Sequence, residues 1–419
     1  MYDIFLVLYI LLMLYLAAYV QRYLVSIRQK QPKMKAKRPT KAQRLSSTTI
    51  NTVPQTIIEN ILCLLPIQEA ARTSILSREW RYKWTTIPKL EFGSSTLSKG
   101  KNKEKLPYDI ASARKKNMDE RCKLFNAIHQ VLLMRQGPIH EFVFNPVGTY
   151  NCFELDQIVF HLSRNHTVKK LTLAFDYISP YKLPLCAFSL HQLTDLYLSF
   201  VNLDHQPIVS GFGSLRSLCL MNVWISSKAL LRLLSNCPSL KRFTLQGFIS
   251  HKDCTIIELF DCLHVIEDLT IYGYNARQLV LDSVPEELPT SLIHLKYFCF
   301  KEMSLDVNGL LTFLAVLLKC SPNLEHIVLE AELGYNDENE IYSGILEKYS
   351  DVWMEHLKEL VIYYFNNSKP SMEFVKFIIS RSPKLKKVLL IVDDKDEELE
   401  MLKVLLQAPC ASPVEIVVK

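Results

Sequence analysis

The chain has 419 residues, of which 49% are hydrophobic and 22% are charged. This balance is ordinary for a globular protein with a sizeable core, and the length allows two or three domains. The eleven cysteines are odd in number and scattered, and none forms a CxxC pair. That distribution excludes a disulfide framework and indicates reduced thiols in the cytoplasm or the nucleus.

The formal net charge of +6 is unevenly distributed along the chain. The first fifty residues hold nine Lys and Arg against one acid, Asp3, which gives them a charge of +8 and leaves −2 for residues 51–419. The basic character therefore belongs to the leader. The rest of the chain has no electrostatic reason to bind nucleic acid, and we expect no nucleic-acid partner.

The leader divides into an apolar part and a basic part. Residues 4–20 are uncharged and rich in Leu, Ile and Tyr, and basic residues are frequent from Arg22 to Arg44. We predict a transmembrane signal-anchor over residues 1–24 and a basic linker over 25–50, which would place everything downstream in the cytosol and make the membrane a partner through residues 4–20. Two alternatives stay open: an upstream extension of the gene, with Met34 as the true start, and a buried or interfacial helix.

Three short amphipathic segments follow. Residues 55–65 and 68–76 have apolar residues at helical spacing, separated by Pro66, which cannot continue a helix. The third segment places Trp80 and Trp84 four residues apart, with Ser77 as a candidate N-cap. About forty residues are too few to hide so many large apolar side chains, so we expect a partner protein to cover them.

This region resembles an F-box of the plant type over residues 51–92. The matching positions include Pro54, Ile58, Ile61, Leu62, Leu65, Pro66, Ala70, Arg72, Thr73, Ser74, Leu76, Ser77, Trp80, Arg81, Trp84, Pro88 and Phe92. The resemblance implies docking to a Skp-type adaptor, and through it to a cullin in a ubiquitin ligase. One position departs, Val53 in place of leucine, which removes about 1 kcal/mol of burial. The adaptor-binding residues predicted from the resemblance are Val53, Pro54, Ile57, Ile58, Ile61, Leu62, Leu65 and Pro66.

Residues 93–118 are rich in Lys, Ser and Gly and predict a linker. Residues 119–135 then predict a helix with one apolar side, formed by Leu124, Phe125, Ile128, Leu132 and Leu133. We expect this helix to cap the open end of the repeats that follow, because terminal repeats need protection from solvent.

A pattern of three apolar residues, spaced i, i+3 and i+5, recurs ten times from residue 139 onward. Its first residues are Ile139, Val168, Leu193, Leu215, Leu240, Ile266, Leu295, Leu324, Leu357 and Leu385. The pattern resembles leucine-rich repeats, in which each unit adds one strand to a parallel sheet. Residues 227–235 and 310–319 have helical spacing and predict return segments. The predicted fold is α/β: a three-helix F-box, then an irregular leucine-rich-repeat solenoid with a parallel sheet, with the repeats and their capping helix over 119–350.

The last part of the chain, residues 351–419, resembles the FBD module of plant F-box proteins. The matching motifs lie at 356–362, 373–379 and 385–390, and the tail at 409–419 predicts a final strand. The whole chain is thus similar to plant F-box/FBD/LRR-repeat proteins.

No catalytic motif is present in the sequence. The cysteines and histidines are dispersed, and neither GxxxxGK[ST] nor GxGxxG occurs. We therefore expect no cofactor and no metal, and a non-catalytic ligase subunit that binds an unidentified protein target for ubiquitination and degradation. Two alternatives are a hormone-like small-molecule receptor of the same ligase class and a membrane-anchored scaffold without ubiquitin activity. The candidate target-binding residues are Lys170, Asp195, Arg242, Asp268, Tyr272, Tyr297, Glu359 and Tyr363.

Overall fold

The structure is a computed structural model that describes residues 54–93, 110–146, 153–165, 167–176, 180–203, 212–250, 256–272, 292–303, 310–331, 346–366, 368–392 and 398–419. The predicted signal-anchor, the basic linker and Val53 lie outside these ranges, as does most of the predicted linker after the F-box. Among the helices of the described ranges, none combines the length and the apolar composition that crossing a bilayer requires.

Helices and strands alternate along most of the described chain. The helices are α1 (Gln55–Leu62), α2 (Ile67–Arg72), α3 (Ile110–Met134), α4 (Phe153–Asn165), α5 (Ser227–Ser235), α6 (Ile256–Asp261), α7 (Leu310–Cys320), α8 (Lys369–Arg381) and α9 (Glu398–Leu406). Short 3₁₀ helices span Thr73–Ile75, Trp80–Thr86, Leu185–Ser189 and Leu346–Tyr349. The strands are β1 (Lys89–Gly93), β2 (Glu141–Asn145), β3 (Lys170–Ala174), β4 (Tyr181–Lys182), β5 (Asp195–Ser199), β6 (Val201–Asn202), β7 (Ser217–Ser226), β8 (Arg242–Ser250), β9 (Asp268–Tyr272), β10 (Tyr297–Met303), β11 (His326–Ala331), β12 (Glu359–Tyr363), β13 (Lys387–Ile391) and β14 (Glu415–Val418).

All of these strands belong to one sheet, and every pairing is parallel. The main order is β1-β2-β3-β5-β7-β8-β9-β10-β11-β12-β13-β14, and the two-residue strands β4 and β6 pair beside β7. Strands follow chain order across the sheet, so each connection returns to the next position along. This is the arrangement of a leucine-rich-repeat solenoid, and the predicted fold class is confirmed.

The ten predicted triplets form the core of the sheet. Each triplet has a strand at its last two positions, and all thirty side chains are at most 4% exposed. In the unit of β9, for example, Ile266, Leu269 and Ile271 are each at most 1% exposed. Because side chains alternate along a strand, a slip of one residue would bring these groups to the solvent face, and the spacing therefore fixes the register.

Local capping explains where the return helices begin. The hydroxyl oxygen of Ser226 accepts a hydrogen bond from the Ala229 amide at 3.4 Å at the start of α5, and Ser368 does the same for the Ser371 amide at 3.3 Å at the start of α8. Helix α5 has the predicted bounds, and α7 ends one residue later than predicted. Both predicted return segments are thus confirmed.

The helix before the first repeat differs from the prediction in three ways. Helix α3 begins at Ile110 rather than at residue 119, so the linker is shorter than predicted. Leu133 is 86% exposed, because at 100° per residue it lies on the opposite side of the helix from the buried Leu124. Finally, α3 lies in the connection between the neighbouring strands β1 and β2, and the edge strand β1 packs against α2. The F-box region, and not α3, therefore covers this end of the solenoid.

Candidate docking surfaces

The F-box region is built from α1, α2 and the two 3₁₀ helices that follow. Pro66 ends the first segment in an extended conformation, and its carbonyl accepts the amides of Glu69 and Ala70 at 2.9 and 3.0 Å, which starts α2. The Ser77 hydroxyl accepts a hydrogen bond from the Trp80 amide at 3.3 Å, but Ser77 is not the N-cap, because the 3₁₀ helix begins at Trp80 and Glu79 directly precedes it. Trp80 and Trp84 are buried and form the core of this region.

A polar network joins α1 to the Trp80–Thr86 helix. The Thr86 hydroxyl donates to Glu59 Oε1 at 2.6 Å, and Gln55 Nε2 donates to Thr86 Oγ1 at 3.0 Å. Lys83 Nζ donates to Gln55 Oε1 at 2.5 Å. These partly buried bonds fix the orientation of α1, so its apolar side chains divide into an inner and an outer set.

Arg135 connects this region to the repeats. Its guanidinium donates to the carbonyls of Ile87, Gly137 and Pro138. Burial lowers the pKa of Arg135 to about 10, which leaves the side chain charged at neutral pH. The arginine therefore satisfies the backbone of the turn that leads into β2 and ties it to the end of the F-box.

The structure divides the predicted adaptor-binding residues into three groups. Ile58 and Leu62 are each 1% exposed, so the prediction that they face a partner is wrong for this conformation. They lie on the side of α1 that packs against the Trp80–Thr86 helix and serve the chain's own core. Exposed or half-buried positions are Pro54, Ile57, Ile61, Leu65 and Pro66, and Val53 lies outside the described residues.

Four large apolar side chains between residues 64 and 82 are exposed, and none of them is among the predicted adaptor-binding residues. Leu64 is 70% exposed, Ile75 87%, Leu76 63% and Tyr82 52%. Four exposed large apolar side chains within nineteen residues make this part of the F-box region a candidate interaction surface. A helical wheel could have indicated Ile75 and Leu76, because they lie opposite the buried Ala70 side of their segment. We call these four residues the F-box apolar surface.

The second candidate surface is the outward face of the sheet. Six of the eight predicted target-binding residues fall in one register row that crosses the sheet where the strands begin. We call it the register row; its members are Lys89, Glu141, Lys170, Asp195, Ser217, Arg242, Asp268, Tyr297, His326, Glu359, Lys387 and Glu415. The structure thus aligns in one row candidates that are up to 189 positions apart in sequence, Lys170 and Glu359, which lie on strands seven spacings apart.

Much of the charge in the register row is internally paired. Lys89 approaches Glu141 at 3.2 Å, Arg242 approaches Asp195 at 3.3 Å, and Lys387 approaches Glu359 at 3.5 Å. Such exposed pairs contribute about 0–1 kcal/mol each and mainly fix side-chain positions.

Asp268 is an exception within the register row. It lies between Arg242 and Tyr297 in register, and its carboxylate has no hydrogen bond or ion pair among the described residues. Burial raises its pKa, and the charge of Arg242 offsets this only in part. Burial also raises the pKa of Tyr297, and the nearby Cys299 adds to that shift. Half-buried polar groups whose pKa is raised by burial are suited to contact with another molecule.

The two remaining candidates, Tyr272 and Tyr363, lie in a parallel row farther along the strands. Tyr272 pairs in register with Lys301, whose ammonium lies 5.6 Å from the tyrosine ring centre. Lys301 also approaches Glu330 at 3.4 Å, and Glu330 pairs in register with Tyr363. The tyrosines therefore flank an ion pair, and together they form a mixed aromatic and polar surface.

Comparison with known proteins agrees with this architecture. A family model described as "FBD-associated F-box protein At5g56370, LRR repeats" matches residues 157–286. F-box/FBD/LRR-repeat protein At1g13570 from Arabidopsis thaliana is 27% identical over 87% of this chain and 96% of its own length. FBD-associated F-box protein At4g10400 from the same plant is 23% identical over 83% of this chain and 78% of its own length. The resemblance to plant F-box/FBD/LRR-repeat proteins is confirmed.

A solved leucine-rich-repeat protein, LegL7 from Legionella pneumophila, is also similar. It is 17% identical and covers 57% of this chain and 91% of its own length, with a TM-score of 0.28. A likeness this low adds nothing to the solenoid assignment, which rests on the register of the strands.

Two of the described thiols, Cys219 and Cys237, have the chemistry of structural cysteines. Burial raises the pKa of Cys219 and of Cys237 to about 11 each, so both are protonated at neutral pH. Cys262 is half-buried, and Cys254 lies outside the described residues. Within the described ranges no group of three His, Cys, Asp or Glu side chains is placed to hold a metal ion.

Proposed function

We propose that this chain is the target-recognition subunit of a Skp-cullin-F-box ubiquitin ligase. The F-box region docks a Skp-type adaptor, the adaptor connects it to a cullin, and the outward face of the sheet binds a protein target. The observation that carries the proposal is the F-box apolar surface, in which Ile75 is 87% exposed although it belongs to a tightly folded region. The family resemblance supports an adaptor as the molecule that covers it.

Burial of this surface supplies the binding energy. Moving a Leu or Ile side chain from water to an apolar contact contributes about 1.5–3 kcal/mol. The half-buried Ile57, Ile61 and Leu65, on α1 and the loop after it, offer further apolar area to a partner, whereas Ile58 and Leu62 are buried inside the region.

The outward face of the sheet is suited to a protein target. Tyr272, Tyr297 and Tyr363 lie there among charges of both signs, a composition typical of protein interfaces. The ligase chemistry would be performed by an enzyme bound to the cullin. This chain would contribute by holding the target close to that enzyme, since proximity alone accelerates a bimolecular reaction.

We propose that this function is exercised in the cytoplasm or the nucleus, where reduced thiols persist; the cysteines in the described residues are all free, which supports this. Tags at both ends of the chain, followed by imaging and membrane fractionation, test it. Recovery of the full-length chain in the membrane fraction would instead support anchoring through residues 4–20.

A capture experiment with a plant Skp-type adaptor tests the proposal. The test variant is Ile75→Asp/Leu76→Asp, and the matched control is Leu406→Asp on α9, because Leu406 is 64% exposed and Leu76 is 63% exposed. We expect wild type and control to capture the adaptor and the double variant to lose at least about 90% of it. Equal capture by all three would show that the apolar surface is not the docking site.

A further inference from the structure

A strip of positive charge lies where β3, β5, β7 and β8 begin. Lys169 and Lys170 stand at the start of β3, Arg216 directly precedes β7, and Lys241 and Arg242 stand at the start of β8. All five side chains are exposed. In the sequence they are distributed over 74 residues and show no basic run, so the strip arises only through the fold.

A ladder of backbone hydrogen bonds brings these residues side by side. The carbonyl of Lys169 accepts the amides of Thr194 and Asp195 at 2.7 and 3.0 Å, and the carbonyl of Thr194 accepts the amide of Arg216 at 2.8 Å. The carbonyl of Arg216 then accepts the amide of Lys241 at 2.9 Å. Neighbouring strands lie about 4.8 Å apart, so the cations form a line across roughly 14 Å.

The acids near this line are engaged with only some of the cations. Asp195 approaches Arg242 at 3.3 Å, and Glu267 approaches Lys241 at 2.6 Å. Glu141, the register neighbour of Lys170, approaches Lys89 at 3.2 Å. Among the described residues Lys169, Lys170 and Arg216 form no ion pair, although Lys170 lies between Glu141 and Asp195 in register, so these three cations remain available to an anionic partner.

We propose that Lys169, Lys170 and Arg216 bind an acidic, extended segment of the protein target. This inference rests on the proposed function and specifies its target chemistry. The cations are arranged along a line rather than around a point, and the backbone amides at this edge are already bonded to carbonyls of neighbouring strands. A single phosphate group would therefore find no converging donors. Carboxylates at every second residue of an extended chain share one face and lie about 7 Å apart, so three of them span the roughly 14 Å of the line.

Fluorescence anisotropy on the full chain at about 50 mM salt tests the inference, because the Debye length there exceeds 10 Å. The probe is a labelled ten-residue peptide that alternates glutamate and serine, and a peptide with glutamine in place of glutamate is its neutral partner. The test variant is Lys169→Glu/Lys170→Glu/Arg216→Glu. The control variant, Lys348→Glu/Lys384→Glu/Lys403→Glu, changes the net charge equally at exposed positions on other repeats.

We expect the wild-type chain to bind the glutamate peptide at least ten times more tightly than the glutamine peptide. The test variant should lose at least tenfold in affinity and the control variant less than threefold. Equal losses in both variants, or no binding by wild type, would overturn the inference. So would tighter binding of a singly phosphorylated serine peptide or of a ten-nucleotide DNA strand.

Adaptor capture is measured on the same preparations, so that the two proposals can fail separately. A test variant that captures the adaptor but does not bind the peptide supports the inference. A wild-type chain that binds the peptide but never captures the adaptor counts against the proposed ligase function and leaves the acidic-segment site standing.

Discussion

Two leucines of the F-box region should respond oppositely to substitution. Leu62 is 1% exposed and Leu76 is 63% exposed. Replacing Leu62 by alanine removes buried methyl groups and leaves a cavity, so it should lower the free energy of unfolding by about 2–5 kcal/mol. Replacing Leu76 by aspartate changes a side chain that already stands in water, so the free energy of unfolding should change by no more than about 0.5 kcal/mol.

For adaptor binding the order should be reversed, with the larger loss at Leu76 and the smaller loss at Leu62. Scaling the burial of Ile75 and Leu76 by their exposed fractions predicts that the Ile75→Asp/Leu76→Asp variant loses at least about 2–4 kcal/mol of binding free energy. That corresponds to a dissociation constant raised roughly 30- to 1,000-fold. The Leu62→Ala variant, at temperatures where it remains folded, should bind the adaptor with nearly the wild-type constant.

Two assays on the same variants separate these effects. Urea unfolding followed by tryptophan fluorescence reports the folding of this region, because Trp80 and Trp84 are buried in it. Calorimetric titration gives the dissociation constant. If the aspartate variant unfolded as readily as Leu62→Ala, or if it bound the adaptor as wild type does, the division between an inner and an outer apolar set would be refuted.

Three further predictions concern the repeats. Maleimide labelling at pH 8, followed by mass spectrometry, should show that the exposed Cys122 is modified well before Cys219 and Cys237. The pKa values of about 11 leave only about a thousandth of each of these two thiols ionised at that pH, and equal labelling rates would contradict the prediction. Asp268→Asn should raise the urea midpoint at pH 7. The raised pKa of Asp268 means that ionisation of this carboxyl disfavours the folded state at pH values above its unfolded pKa near 4. The gain should therefore vanish as the pH falls to 3, and a gain that persists there would exclude ionisation as the cause. Phe298→Ala, at a site 1% exposed, should cost about 3–5 kcal/mol in urea unfolding, and a cost below about 1 kcal/mol would show that the site collapses.

The repeats could be predicted from sequence because their signal is local. An apolar triplet at fixed spacing determines which side of a strand is buried, and the ten predicted strands follow one another in the sheet. The strand β1 was missed although Ile87, Leu90 and Phe92 have the same spacing and are each at most 1% exposed. The resemblance to an F-box had already assigned these residues, so the last part of the F-box match is also the first strand of the solenoid.

The surfaces were harder to predict than the core. Helical spacing identifies an apolar side, but it does not say whether that side meets the same chain or a partner, and Ile58 and Leu62 were therefore misassigned. The strip of positive charge could not be predicted from the sequence, for a different reason. The unit length varies from 22 to 33 residues, so Lys169 and Arg216 are aligned, two strand spacings apart, only through the hydrogen-bond ladder that the folded sheet provides.

The most direct test of the account is calorimetric titration of a plant Skp-type adaptor into the purified full-length chain at several temperatures. Burial of the F-box apolar surface predicts a 1:1 complex with a dissociation constant below about 1 μM and a negative heat-capacity change. A chain that is folded by circular dichroism and yet shows no binding up to about 100 μM adaptor would contradict it.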